Sequence, residues 1–176
     1  MMKVNRILPL LLVFGCASYP KLKTVASLDL DQYQGRWYEI TSIPVFAQKG
    51  CRCTTATYGI KEDGNVSVYN RCLKEDNEIS DIEGYAEVVP DTNNARLNVV
   101  FFWPFKGDYQ VMGLAEDYSI ALIGNQSRKY LWLLSRSPNL DDQTKENYLD
   151  IARAQGYELS ELQITDHKNC DYETKS

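Results

Sequence analysis

Residues 96–136 read RLNVVFFWPFKGDYQVMGLAEDYSIALIGNQSRKYLWLLSR, and this stretch decides the fold. Four apolar and aromatic runs stand in it, at 96–103, 108–115, 118–124 and 129–136, parted by short turns. Side chains in a strand alternate between two faces. Leu97, Val99 and Phe101 therefore share a face, opposite Arg96 and Asn98. In the last run Tyr130, Trp132, Leu134 and Arg136 share one face, and Leu131 and Leu133 take the other. That outer face cannot stand in water, so something apolar must cover it.

Upstream the same pattern continues. GRWYEIT at 35–41 is aromatic and β-rich. CTTATYGI at 53–60 and VSVYNRC at 66–72 flank the turn Glu62-Asp63-Gly64-Asn65, and Asp-Gly between alternating runs is a strong hairpin signal. DIEGYAEVV at 81–89 ends at Pro90. Here Val66, Val68 and Asn70 share a face, as do Ile82, Gly84 and Ala86. Eight short strands imply an antiparallel sandwich or a closed barrel. Downstream, residues 139–155 read as one helix, with Asn139 or Asp141 as N-cap and Gly156 as the stop after it. Its apolar stripe of Tyr148, Ile151, Ala152 and Gln155 is the expected cover for the last strand. A short strand, 158–164, then leads to Cys170.

A chain of 176 residues with 44% hydrophobic and 24% charged residues is one ordinary globular domain. A net charge of −5 argues against a nucleic-acid partner, and one histidine excludes a histidine-rich metal site. No G-x-S-x-G elbow, P-loop or cofactor motif is present. MMKVNRILPLLLVFG, residues 1–15, has a basic start and a short apolar run, the pattern of a removed signal peptide. LVFGC at 12–16 resembles the lipobox of bacterial lipoproteins, which implies a diacylated Cys16 and a membrane anchor, with residues 16–29 as lipidated N-terminus and tether. Ala17, not aspartate, follows the cysteine, and the resemblance then implies the outer membrane. Loss of Lys3 and Arg6 takes the net charge from −5 to −7. Cys51, Cys53, Cys72 and Cys170 remain, an even number suited to two disulfides after export, with three connectivities open. A zinc site at Cys51-x-Cys53 is the rival reading, disfavoured by spacing and compartment.

Three motifs in order resemble the lipocalin family. They are G-x-W at Gly35 and Trp37, Glu116-Asp117-Tyr118 in place of T-D-Y, and LSR ending at Arg136. FFWPFKGDYQ and YLWLLSRSPNL resemble its bacterial outer-membrane, Blc-type branch; CRCTTATYGI and ITDHKNC resemble apolipoprotein D. The resemblance spans about 28–172, with the domain proper at 30–172. It implies an all-β, eight-stranded antiparallel up-and-down barrel with one C-terminal α-helix on its outside. Arg136 is then expected over the Trp37 indole as a structural plug. The apolipoprotein D likeness implies a Cys53–Cys170 bridge, leaving Cys51 with Cys72.

Such a barrel can hold one small ligand. The expected wall is Ala56, Tyr58, Val68, Asn70, Val99, Phe101, Met112, Ala121 and Trp132. Glu39 shares the inward parity of Trp37, where it would meet a ligand headgroup or an internal arginine. The resemblance implies a non-enzymatic protein that binds, stores or transports fatty acids or lysophospholipids in the cell envelope. The alternative is a lipocalin-fold isomerase or de-epoxidase using an interior cysteine or acid. His167, beyond the last strand, is expected at the surface. The aromatic run Phe102-Trp103-Pro104-Phe105 would line a barrel mouth, touch a membrane or form a homodimer contact, and these stay open.

Overall fold

The computed structural model describes residues 19–172. The expected signal peptide at 1–15 and the expected acylation site at Cys16 lie outside the described residues. The elements run α1 (Leu30–Tyr33), β1 (Gly35–Ile43), β2 (Arg52–Ile60), β3 (Val66–Leu73), β4 (Ile79–Val88), β5 (Arg96–Val100), β6 (Gly107–Leu114), β7 (Ile120–Gly124), β8 (Leu131–Ser135), α2 (Asp142–Ala154) and β9 (Gln163–Ile164). Each strand from β1 to β7 pairs antiparallel with the next, and β8 pairs back with β1. The sheet therefore closes on itself, so the sandwich reading falls and the barrel stands.

Local chemistry sets the strand ends. β5 stops at Val100, short of the expected 103, because Phe102 and Phe105 close a turn by a backbone hydrogen bond of 2.8 Å around Pro104. β7 starts at Ile120 because the Asp117 carboxylate accepts from the Ser119 amide and holds an Asx turn, with Tyr118 at φ 56°. β8 starts at Leu131 because the Asn125 side chain accepts from the Lys129 and Tyr130 amides. The expected strand over 158–164 reduces to Gln163–Ile164.

Two apolar layers form. One fills the closed end of the barrel, with Trp37, Tyr33, Leu97, Val111, Ala121 and Ile123 among its buried members. The other lies between the barrel wall and α2, and holds Leu122, Leu131, Leu133, Leu149 and Ala152. The helix is capped by Asp141, whose carboxylate accepts from the Thr144 amide at 2.9 Å, and it ends before Gly156 at φ 85°. Leu149 is the buried anchor that the stripe through Tyr148 and Ile151 missed. The helix reaches beyond the last strand to β6, where Gly113 leaves room. A side chain starting there would stand 3.2 Å from Ile151 and 3.3 Å from Tyr148.

This layer also corrects Met112, expected inside the barrel. Tyr109 and Val111 face inward on β6, so Met112 faces outward, buried under α2 beside Leu122. Residues 19–29, expected as a tether, are laid along the outer wall. The Gln126 side chain donates to the Tyr19 and Pro20 carbonyls, the Val25 amide to Val111, and the Leu28 amide to Asn93. Leu22 and Leu28 are buried by this run.

The turns at 61–65, 89–95 and 115–119, with α1, close one end of the barrel. The loops 44–51, 74–78, 101–106 and 125–130 surround the other, which is open.

Candidate ligand-binding site

The closed end is a stopper built from three places in the chain. Trp37 is fully buried and donates its indole N–H to the Tyr33 carbonyl at 2.9 Å. The Arg136 guanidinium lies 3.8 Å from the indole ring and donates to the Arg36 and Gln32 carbonyls, both at 2.9 Å. Gly35 makes this possible: it holds φ 89°, and a Cβ on it would stand 3.4 Å from Arg136. The Tyr118 hydroxyl accepts from the Asp29 amide at 2.9 Å, and its carbonyl accepts from Arg136. Asp117 and Tyr118 thus serve the stopper's frame.

Above it lies a tyrosine floor. The Tyr109 hydroxyl meets that of Tyr33 at 2.6 Å and that of Tyr58 at 3.1 Å. Burial pushes the Tyr58 phenol up to about 12 and the other two well above the ordinary range, so all three stay neutral.

Over this floor opens a cavity of about 880 Å³. Ala56, Tyr58, Val68, Asn70, Val99, Phe101 and Trp132 stand on its wall as expected, with Glu39 among them. Ala121 does not: it is packed in the apolar layer of the closed end. Tyr109, Gln48, Thr54 and Leu134 also line the cavity and were not expected. Parity with Val111 was the available signal for Tyr109.

Glu39 is buried without an arginine among its bonded partners, which corrects that expectation. One carboxylate oxygen accepts from the Ser42 and Thr165 hydroxyls, both at 2.8 Å; the other accepts from the Gln48 amide at 3.5 Å. Gln48 in turn accepts from the Trp132 indole at 3.2 Å. Burial pushes the Glu39 carboxyl above its ordinary range, and the two hydroxyls pull partly against this. The Thr54 hydroxyl and the Asn70 carbonyl oxygen are buried on the same wall with no protein partner among the described residues. The site is thus an apolar chamber with a few unspent polar groups.

Glu39 carries a pH signature. A carboxyl that holds its proton more tightly folded than unfolded loses stability as pH rises from its ordinary value through the raised one. Wild type should therefore fall in stability relative to Glu39→Gln from about pH 4.5 upward. Urea midpoints of both chains between pH 4 and 8 read the difference. A constant gap between the two would contradict the buried-carboxyl account.

The tail seals the seam beside Glu39. β9 pairs with Thr41 and Ser42 of β1, and the Cys53 amide donates to the Asp166 carbonyl at 2.8 Å. Cys53 is bonded to Cys170, and Cys51 to Cys72. This removes the zinc reading, and no cluster of metal-ligating side chains occurs among the described residues. His167, expected at the surface, is half-buried: its ring bonds the Glu39 carbonyl at 2.7 Å and the Tyr172 hydroxyl at 2.6 Å.

The sequence profile of the lipocalin-like domain matches residues 28–167. The chain belongs to the lipocalin family. This lipocalin is 39% identical over 155 residues to the outer membrane lipoprotein Blc of Citrobacter freundii, covering 86% of this chain and 88% of that one. It is 35% identical over 165 residues to apolipoprotein D of Bos taurus, covering 89% and 86%. Among solved structures, insecticyanin of Manduca sexta shares the fold with a TM-score of 0.68 at 23% identity, over 86% of this lipocalin and 87% of that chain.

Proposed function

We propose that this lipocalin is an outer-membrane-anchored protein that takes one single-chain lipid, a fatty acid or lysophospholipid, and stores or carries it in the cell envelope. The observation that carries this reading is the chamber itself. A volume of about 880 Å³ lies in the range of ligand pockets, and its wall is mainly apolar with a few polar groups. The acyl body would take Ala56, Val68, Val99 and Phe101, and the polar end would find Glu39, Gln48 or Asn70. The anchor reading rests on Cys16 in its lipobox-like context and on likeness to a relative named outer membrane lipoprotein.

The enzyme alternative runs through an interior cysteine or an interior acid, and its cysteine route needs a free thiol. Cys51, Cys53, Cys72 and Cys170 are all in disulfides, so a thiol is lacking among the described residues.

Delipidated protein should bind a fluorescent fatty acid at about one site per chain. Val99→Trp, which fills the chamber from one wall, should weaken binding at least about tenfold, a loss of about 1.4 kcal/mol, with an unchanged circular dichroism spectrum. A folded wild type that binds neither a fatty acid nor a lysophospholipid would overturn the reading. Mass spectrometry of the chain extracted from envelopes checks the acyl groups on Cys16.

A further inference from the structure

We infer that the open end of this barrel docks on a lipid bilayer, through the loops 44–51, 101–106 and 125–130, so that its chamber opens toward the membrane. Three independent features converge on that side.

The first is apolar exposure. Phe46 is 86% exposed, Trp103 80%, Phe105 77% and Phe102 70%. Phe46 belongs to the loop between β1 and β2, and the other three to the loop between β5 and β6. Large aromatics held in water at two separate loops of one rim mark a surface meant for an apolar partner.

The second is where the chain enters. Tyr19 and Pro20 are held on the loop 125–130 by the Gln126 side chain, and Arg128 donates to the Pro20 carbonyl at 2.6 Å. The Arg128 guanidinium also covers the Tyr19 ring at 5.0 Å. Cys16 lies three residues before Tyr19, a reach of at most about 11 Å. An acyl anchor on Cys16 therefore holds the mouth, not the stopper, against its membrane. This part rests on the anchor reading proposed above.

The third is charge. The ring order of the strands puts loop 125–130 between the two aromatic loops and across the mouth from loop 74–78. The three loops on the tethered side carry Lys49, Lys106, Arg128 and Lys129 and no carboxylate; Lys49 and Lys129 are exposed, whereas Lys106 pairs with Glu87 of β4 and Arg128 is buried on backbone carbonyls. The opposite loop carries Glu75, Asp76 and Glu78 against one cation, Lys74, which donates to the Ala47 carbonyl at 2.7 Å. In a chain of net charge −5, this leaves the exposed cations Lys49 and Lys129 on the side of the aromatics and the tether, and the excess of acid on the opposite loop. That division suits an anionic lipid surface met at a tilt.

A bilayer in this position gives a single-chain lipid a path from membrane to chamber without crossing water. A second copy of the chain would also cover aromatics, but it does not account for the tether arriving on the same side.

The test uses the mature chain, residues 16–176, with Cys16→Ser, so that retention on vesicles comes from neither the signal peptide nor an acyl group. It should sediment with vesicles of phosphatidylethanolamine and phosphatidylglycerol. Phe46→Ser with Trp103→Ser, neither of which lines the chamber, should cut the retained fraction at least about tenfold, as two large aromatic side chains then stay in water. In the acylated chain, brominated lipid should quench the part of the emission that Trp103→Phe removes. The inference is overturned if brominated lipid quenches wild type and Trp103→Phe alike. It is also overturned if the double variant abolishes a dimer seen by sedimentation velocity while vesicles retain neither chain. An unmodified Cys16 in the native chain would remove the anchor alone and leave the vesicle result to decide the docking face.

Discussion

Trp37→Ala should lower the stability of the barrel by about 3–5 kcal/mol, read as a fall in the urea midpoint at unchanged slope. The indole is fully buried at the closed end, so truncation leaves a void that the closed sheet cannot collapse to fill. It also frees the Tyr33 carbonyl from its indole donor and removes the ring beneath Arg136, a contact of about 0.5–2 kcal/mol. Domains of this size are stable by only about 5–15 kcal/mol, so the loss is a large share of the total. Trp37→Phe should keep most of the packing and lose the hydrogen bond, and so fall between the two. A loss below about 1 kcal/mol for the alanine variant would mean that the stopper is not built around this ring.

Removing the Cys53–Cys170 bridge should cost about 5 kcal/mol, against about 3.5 kcal/mol for Cys51–Cys72, in the chain-entropy account. The difference follows from the loops they close, 117 and 21 residues of sequence separation. The first also has a structural consequence that the second lacks. Release of Cys170 frees the tail that carries Thr165 and His167, so Glu39 loses one of its hydroxyl donors and its carbonyl loses the imidazole. Cys53→Ser with Cys170→Ser should therefore lower both stability and the affinity for a fluorescent fatty acid. Denaturant curves of the two serine pairs, measured side by side, check the order. A larger loss from the 51–72 pair would contradict it.

What the sequence made legible was what alternation and local turn chemistry control. The eight strands, the hairpin at Asp63-Gly64 and the helix ended by Gly156 all follow from short windows of residues, while the plug of Gly35, Trp37 and Arg136 follows from the lipocalin resemblance. The one parity error has a clear origin. Met112 looked like an inward residue because the β6 run is apolar on both faces, one for the chamber and one for α2. The polar part of the site was hidden for a different reason, since its partners are distant in the chain. Tyr33 meets Tyr109 across 76 residues, Gln48 meets Trp132 across 84, and Glu39 meets Thr165 across 126. No periodicity encodes such pairs; only closure of the sheet and return of the tail bring them together. His167 was misread for the same reason, as its place depends on β9 pairing with β1.

The run of residues 19–28 down the outside of the barrel has a practical consequence for anyone labelling this protein. A fluorescent reporter fused ahead of Tyr19 would be delivered to the rim of the entrance, where it would crowd whatever enters. At the other terminus, Tyr172 rests on Tyr38, on the outer wall and away from that rim. A reporter appended after Ser176 is therefore the design that leaves traffic through the entrance undisturbed.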